Sequence, residues 1–391
     1  MPKGFKTTGI AAGIKKNGNK DMGLVYSEQP AVCGGVFTKN RVKAACVALD
    51  QQRMAAAGTC RAIVVNSGNA NCCTGETEMA DAVAMCQSAA DALGIDEDQV
   101  MVSSTGVIGQ RLPLEKVKNG MPALIEQLSE DGLADFAESI MTTDTVPKVV
   151  TRHGRIDGVD YTVTAVAKGA GMIRPDMATM LCFVCTDIGI GQSDLQAIVT
   201  RANDRSFNRI TIDGDTSTND TLLVLANGMS GAYAASAGQL AAFGAVLEEV
   251  LATLAKMVVK DGEGATKLVA VTVVNAASDA DARKIADTVA NSSLVKTAFF
   301  GEDANWGRII AAMGRAGVDF DYGMVDLYFN DVKLLENGIY AGPAAEEAAS
   351  AVLKQPEFSV VLDLKTGGGE AVVWTCDLSI DYVKINADYR S

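Results

Sequence analysis

One segment of the sequence places a threonine hydroxyl where chain cleavage could turn it into a nucleophile. Residues 168–181 are Lys-Gly-Ala-Gly-Met-Ile-Arg-Pro-Asp-Met-Ala-Thr-Met-Leu, and the stretch 179–185 is apolar and β-prone. A threonine hydroxyl is a weak nucleophile until a nearby base takes its proton. A cut between Ala178 and Thr179 would free an α-amine with a pKa of about 8, which can be that base. The segment therefore suits a self-cleaving enzyme that would transfer acyl groups through a Thr179 ester.

The same threonine has an ordinary structural explanation, because β-branched residues commonly open buried strands. Further motifs decide between the two interpretations. They are Asn-Ser-Gly-Asn-Ala-Asn at 66–71, Ser-Ser-Thr-Gly-Val-Ile-Gly at 103–109, Thr-Thr-Asp at 142–144, Phe-Asn-Arg-Ile-Thr-Ile-Asp-Gly-Asp-Thr-Ser-Thr-Asn-Asp at 207–220, Asp-Ala-Asn-Trp-Gly-Arg at 303–308 and Asn-Ala-Asp-Tyr-Arg-Ser at 386–391. In this order, and together with the segment around Thr179, they resemble the ornithine acetyltransferase family, the glutamate N-acetyltransferases of arginine biosynthesis.

The resemblance implies catalytic roles for three positions and a cleavage site. Thr179 would be the nucleophile, released by cleavage after Ala178, and Thr105 and Gly106 would form the oxyanion hole. The residues themselves suit this role, because a hydroxyl and an exposed glycine N–H on a tight turn after a strand can donate to an oxyanion. In isolation, however, the same residues would be interpreted simply as a glycine turn.

The resemblance also implies a set of substrate contacts, namely Thr142, Lys168, Thr179, Glu263, Asn386 and Ser391. Lys168 suits a substrate carboxylate, and the glycines that follow it allow close approach of the backbone. Glu263 suits a substrate ammonium group, although a glutamate in a Gly-Glu-Gly turn is also common on protein surfaces. Ser391 departs from the family, whose chains usually end in threonine, but serine keeps the hydroxyl and the terminal carboxylate.

The implied reaction is transfer of the acetyl group from N2-acetyl-L-ornithine to L-glutamate through an acetyl-Thr179 ester. It needs no cofactor and no metal, and acetyl-CoA is an alternative acetyl donor. The resemblance implies α and β chains that stay associated after cleavage, in an α2β2 heterotetramer. Two alternatives stay open: a self-processing aminopeptidase or amidase, with water as the acceptor, and a non-catalytic binding protein that remains uncut.

Composition excludes several other classes of protein. The net charge is −14 over 391 residues and no basic stripe occurs, which argues against nucleic acid or an anionic membrane as a partner. No apolar run is long enough to span a bilayer, and the N-terminal residues do not resemble a signal peptide. The nine cysteines are therefore expected to be reduced thiols in the cytoplasm.

Several motifs that suggest other chemistry fail on physical grounds. His153 is the single histidine, so Ser-His-Asp triads and histidine-rich zinc sites are excluded, and its polar surroundings predict a surface turn. Cys182 and Cys185 have CxxC spacing, but in a predicted strand they face opposite ways. The acidic run from Asp213 mimics a calcium loop, yet its twelfth position is Val224 rather than glutamate. No phosphate-binding glycine motif is present.

The hydrophobic periodicity predicts an α+β fold. Strands are predicted at 62–65, 100–103, 161–167, 179–185, 221–225, 268–274, 296–300, 324–329, 358–364 and 371–375. Helices are predicted at 78–93, 133–141, 193–206, 239–259, 279–290 and 344–353. Thr77 and Ser193 are the expected N-caps of the first and third helices, and Gly94 the C-terminal glycine of the first. The resemblance adds an αββα sandwich core over residues 1–280 and a smaller α/β domain over 281–391.

Overall fold

The computed structural model describes residues 1–174 and 180–388. It divides into two units. The first comprises residues 1–208 and 215–258, and the second comprises residues 209–214 and 259–391. This division differs from the expected boundary at residue 280, because the strand Leu268–Ala276 forms its ladders with strands near the C-terminus and so belongs to the second unit.

Strands and helices are mixed along the described chain, which confirms the α+β class. The strands are β1 Phe5–Ile10, β2 Met22–Phe37, β3 Thr59–Asn69, β4 Val100–Val107, β5 Lys148–Ile156, β6 Val159–Lys168, β7 Leu181–Thr186, β8 Gly189–Ile190, β9 Ile210–Thr211, β10 Thr221–Ala226, β11 Tyr233–Ala234, β12 Leu268–Ala276, β13 Asp326–Phe329, β14 Val332–Glu336, β15 Ile339–Tyr340, β16 Glu357–Asp363 and β17 Gly369–Cys376. The helices are α1 Ala45–Ala56, α2 Thr77–Leu93, α3 Leu114–Glu126, α4 Leu133–Ser139, α5 Gln192–Asp204, α6 Ala237–Lys260, α7 Asp279–Ala290, α8 Ser293–Phe300, α9 Trp306–Gly314, α10 Pro343–Leu353 and α11 Ile380–Ala387.

The first unit is built on a mixed sheet with the strand order β4-β3-β2-β10-β7-β6-β5, and β1 pairs with β2. The pairs β3–β4 and β7–β10 are parallel, whereas β7 is antiparallel to β6 and β10 is antiparallel to β2. Alternate residues of a strand face opposite sides of a sheet. On β3, Ala62 and Val64 accordingly pack with α1, α2 and α3, while Ile63 and Val65 belong to a second core that contains Phe136 of α4.

The second unit has its own sheet, ordered β15-β14-β13-β16-β12-β17-β9. Its core joins apolar residues of this sheet to α7, α8, α9 and α10. Helix α7 begins as its sequence predicts, because the side chain of Ser278 accepts the backbone N–H of Asp281.

The predicted strand at 296–300 is wrong, because these residues belong to helix α8. Ser292 caps that helix by accepting the N–H of Val295. The helix buries Val295, Ala298 and Phe299 together with Lys296, whose ammonium donates to the Thr375 hydroxyl at 2.9 Å. The threonine and the two phenylalanines in this stretch favour a strand, but tertiary packing and the Ser292 cap stabilise a helix instead.

Two expected N-caps are also wrong. Thr77 and Ser193 lie inside α2 and α5, whose N-cap residues are Glu76 and Gly191, and neither cap residue makes a side-chain capping bond. The C-terminal end of α2 is as expected, because Gly94 adopts the left-handed conformation at φ 66°.

Candidate functional site

The proposed oxyanion-hole residues lie within strand β4 rather than on a turn after it. The expected strand ended at residue 103, but β4 continues to Val107 because its parallel ladder with β3 extends past Gly68, where the register becomes irregular. Gly106 has φ 133°, and a Cβ built there would lie 2.3 Å from the carbonyl carbon of Gly68. Only glycine fits this approach.

Asparagine side chains fix the strand ends around this pair. Asn219 donates its Nδ2 to the carbonyl oxygens of Ala70 at 2.7 Å and Ser104 at 2.8 Å. The Ser104 hydroxyl in turn donates to Oδ1 of Asn66 at 2.7 Å. These bonds are buried and join three of the motifs recognised in the sequence, so they hold Thr105 and Gly106 in a defined position.

Lys168 contacts two threonines that are far apart in the chain. It is the last residue of β6, one position beyond the predicted strand 161–167, and it is only 7% exposed. Its Nζ donates to Oγ1 of Thr142 at 2.9 Å and to Oγ1 of Thr105 at 3.3 Å. One cation therefore contacts a proposed oxyanion donor and a proposed substrate contact at the same time.

Asp144 is a buried residue that accepts hydrogen bonds from three groups in the same region. Its carboxylate accepts Nζ of Lys148 at 2.7 Å, the N–H of Gly169 at 2.7 Å and the N–H of Thr142 at 3.0 Å. Burial opposes ionisation of this carboxyl group, but the charges of Lys168 and Lys148 and the hydrogen bonds outweigh it and hold its pKa at about 2. Asp144 is thus an anion that fixes both Thr142 and the start of the glycine loop.

The described chain resumes at Met180, directly after the proposed nucleophile. Its backbone N–H donates to Oδ1 of Asp220 at 2.9 Å, and both residues are buried. Burial raises the pKa of Asp220 well above its usual range. The predicted cleavage site at Ala178 and Thr179 lies outside the described residues, so both assignments stay predictions.

Two further proposed substrate contacts lie in the second unit. Asn386 of α11 donates its Nδ2 to Oε2 of Glu263 at 2.7 Å. Glu263 is 8% exposed, although sequence alone suggested an ordinary surface acid. The chain turns sharply at Gly264, whose φ is 68°, and the Ser379 hydroxyl holds its carbonyl oxygen at 2.6 Å. Ser391 lies outside the described residues, and its role also stays a prediction.

The motifs set aside in the sequence have structural explanations. Cys182 and Cys185 lie buried in β7, as expected of core residues. His153 is exposed, but it lies in β5 rather than in a turn, because residues 148–156 pair continuously with β6. The 303–308 motif caps a helix, since the side chain of Asn305 accepts the N–H of Arg308 at the start of α9.

Within residues 1–174 and 180–388, no three His, Cys, Asp or Glu side chains are grouped as a metal ion would require. None of the helices in the same residues combines the length and apolar character needed to cross a membrane.

Known proteins resemble this chain along its whole length. The model of the ArgJ family matches residues 6–391. The arginine biosynthesis bifunctional protein ArgJ of Geobacter sulfurreducens is 53% identical over 391 residues, which are 100% of this chain and 99% of that protein. The protein of the same name from Syntrophotalea carbinolica is 52% identical over 390 residues, 99% of each chain. The crystal structure of arginine biosynthesis bifunctional protein ArgJ from Bacillus halodurans is 40% identical with a TM-score of 0.51, and the match covers 52% of this chain and 97% of that one.

Proposed function

The chain belongs to the ArgJ family, and on this premise we propose that it transfers the acetyl group of N2-acetyl-L-ornithine to L-glutamate in the cyclic route of arginine biosynthesis. The observation that carries the proposal is the contact of Lys168 with the hydroxyls of both Thr105 and Thr142. The reaction proceeds in the cytoplasm without a cofactor or metal ion, and acetyl-CoA is a second acetyl donor.

The chemistry follows from the donors around Lys168. An ammonium group only donates hydrogen bonds, so Oγ1 of Thr105 accepts from Lys168 and keeps its own proton for another acceptor. That proton and the N–H of Gly106 stabilise the oxyanion that forms when Thr179 attacks the acetyl carbonyl. The C–N bond then breaks, ornithine leaves with the proton taken from the Thr179 hydroxyl, and the acetyl group remains as an ester. The amine of glutamate attacks this ester and restores Thr179.

Self-cleavage between Ala178 and Thr179 supplies the α-amine that acts as the base. The Bacillus halodurans structure supports this step, because 97% of its chain corresponds to only 52% of the present one. A chain of about half length is what cleavage near the middle would produce. The α and β chains remain associated and form an α2β2 heterotetramer.

Intact-mass analysis followed by a quenched reaction tests the proposal. The purified protein should give two fragments, residues 1–178 and 179–391, and N-acetylornithine alone should add one acetyl group to the second. Thr179→Ala should remain one uncut and inactive chain, whereas Thr179→Ser should retain partial cleavage and activity.

Two results would contradict this assignment. Acetyl transfer by an uncut chain would exclude Thr179 as an N-terminal nucleophile. Release of acetate at a rate independent of glutamate would instead identify a hydrolase that uses water as the acceptor.

A further inference from the structure

A second lysine, Lys15, lies close to the residues already described. It belongs to the connection between β1 and β2 and is half-buried. The carboxylate of Asp21, itself fully buried, accepts the backbone N–H of Lys15 at 2.9 Å and that of Ala12 at 2.6 Å. The backbone of this connection is therefore anchored, and the position of Lys15 is defined by the fold.

The side chain of Lys15 crosses the end of β3 beside the oxyanion-hole glycine. Its Cγ lies 3.0 Å from the point that a Cβ of Gly68 would occupy, and Gly68 is the ladder partner of Gly106. Burial and the charge of Lys168 lower the pKa of Lys15 to about 8, against the opposing effect of Asp21 and Asp144. The two ammonium groups are thus near enough to repel each other.

No carboxylate among the described residues lies within ion-pairing distance of the Lys15 Nζ, so the charges of Asp21 and Asp144 act on it only from farther away. Among the same residues, the only acceptor bonded to its Nζ is the carbonyl oxygen of Lys20, at 2.6 Å. A cation withdrawn from water beside another cation is unfavourable unless an anion approaches it. The arrangement is therefore suited to a ligand that brings negative charge.

The two substrates of the proposed reaction differ in the negative charge that they carry. N-acetylornithine has one carboxylate and a side-chain ammonium, whereas glutamate has a second carboxylate at the end of its side chain. We propose that Lys15 binds the side-chain carboxylate of the glutamate acceptor and so determines which amino acid receives the acetyl group. This inference rests on the proposed function and adds a specificity-determining residue to it.

Comparison of two acceptors in Lys15→Met tests the inference. Methionine keeps an apolar stem over Gly68 but removes the charge. We expect kcat/KM for glutamate to fall roughly ten- to hundredfold, the range for a hydrogen bond to a charged group. Glutamine has an uncharged amide in place of the carboxylate, so its lower kcat/KM should stay within about twofold. Lys15→Arg should recover part of the activity with glutamate.

The donor reaction and a neighbouring lysine provide the controls. The rate at which N-acetylornithine acetylates the enzyme should be the same in Lys15→Met and the unaltered protein. Lys16→Met removes an adjacent, exposed charge and should change neither acceptor. Equal losses with glutamate and glutamine, or a slower donor reaction, would overturn the assignment of Lys15 but leave the proposed function intact. Absence of acetyl transfer in the unaltered protein would overturn the proposed function, and this inference with it.

Discussion

The carboxyl group of Asp220 and the backbone N–H of Met180 form a 2.9 Å hydrogen bond in the interior of the first unit. The two residues stand at the same level of the parallel ladder, because the next residues, Thr221 and Leu181, are register partners. The bond therefore fixes the chain one residue after the proposed nucleophile. It also leaves a titratable group buried where its ionised form is disfavoured.

Asp220→Asn should raise the free energy of unfolding at pH 7. Burial raises the pKa of Asp220 in the folded state, so its contribution to stability declines as pH rises above the ordinary aspartate value of about 4. Asparagine can accept the same N–H without this penalty. Urea unfolding between pH 3.5 and 8, in an uncut Thr179→Ala background, should show an advantage for the variant that grows with pH. A difference that does not change with pH would contradict this account.

Asp144→Asn should destabilise the fold strongly. It breaks the ion pair between Asp144 and Lys148, whose side chains are both fully buried, and removing one partner of a buried pair costs roughly 3–5 kcal/mol. Because the folded pKa of Asp144 is about 2, its stabilisation is complete above pH 4 and is lost as pH falls toward 2. Asp160→Asn breaks an exposed pair with Arg155 and should cost less than about 1 kcal/mol. Equal losses in the two variants, measured by the same urea unfolding, would contradict the prediction.

Thr105→Ala should fold normally and lose turnover. Loss of one oxyanion donor lowers kcat by roughly 10²–10³-fold, whereas KM should change little. Thr105→Ser retains the hydroxyl and should recover most of kcat. Thr151→Ala serves as the matched control. It removes a hydroxyl on β5 that contacts the hydroxyl of Thr164 on β6 at 3.0 Å. An unchanged kcat in fully cleaved Thr105→Ala would place the oxyanion hole elsewhere.

Glu263→Gln should raise KM for N-acetylornithine by roughly tenfold and affect kcat less, because a neutral amide loses the charge that suits the substrate ammonium. Asn386 can still contact a glutamine at this position, so the local fold should persist. Glu357→Gln alters an exposed partner of Lys260 in the same unit and should leave KM unchanged. Steady-state kinetics that give the same KM for both variants would remove Glu263 from the substrate contacts.

Local sequence patterns predicted correctly those elements for which capping residues, apolar periodicity and residue propensity agree. Helix α7 has its Ser278 cap and a regular apolar face, and its bounds, 279–290, agree with the prediction. The region 296–300 was assigned wrongly because its residue types favour a strand, while its cap and its packing partners favour a helix.

The candidate site was only partly accessible to sequence reasoning. Thr105, Thr142 and Lys168 were identified through the family motifs, and the structure brings their side chains together. Lys15 and Lys148 were missed, because the sequence does not distinguish a buried or half-buried lysine from a solvated one. Their burial depends on strands that are distant in the chain. Asp220, the acidic residue at the end of the 207–220 motif, was visible in the sequence as part of that motif. Its contact with Met180 was not, because it depends on the pairing of β10 with β7.

The strand order of the first unit constrains when the chain can be cut. Strands β10 and β7 lie between β2 and β6 in the sheet. Both inner strands follow position 179, whereas both flanking strands precede position 178. Cleavage would therefore leave two strands of one polypeptide enclosed by strands of the other, an arrangement that a single chain must assemble before it is cut. Once unfolded, the cleaved protein would refold by a bimolecular reaction whose rate depends on concentration, whereas the uncut Thr179→Ala chain would form this sheet at a rate independent of concentration.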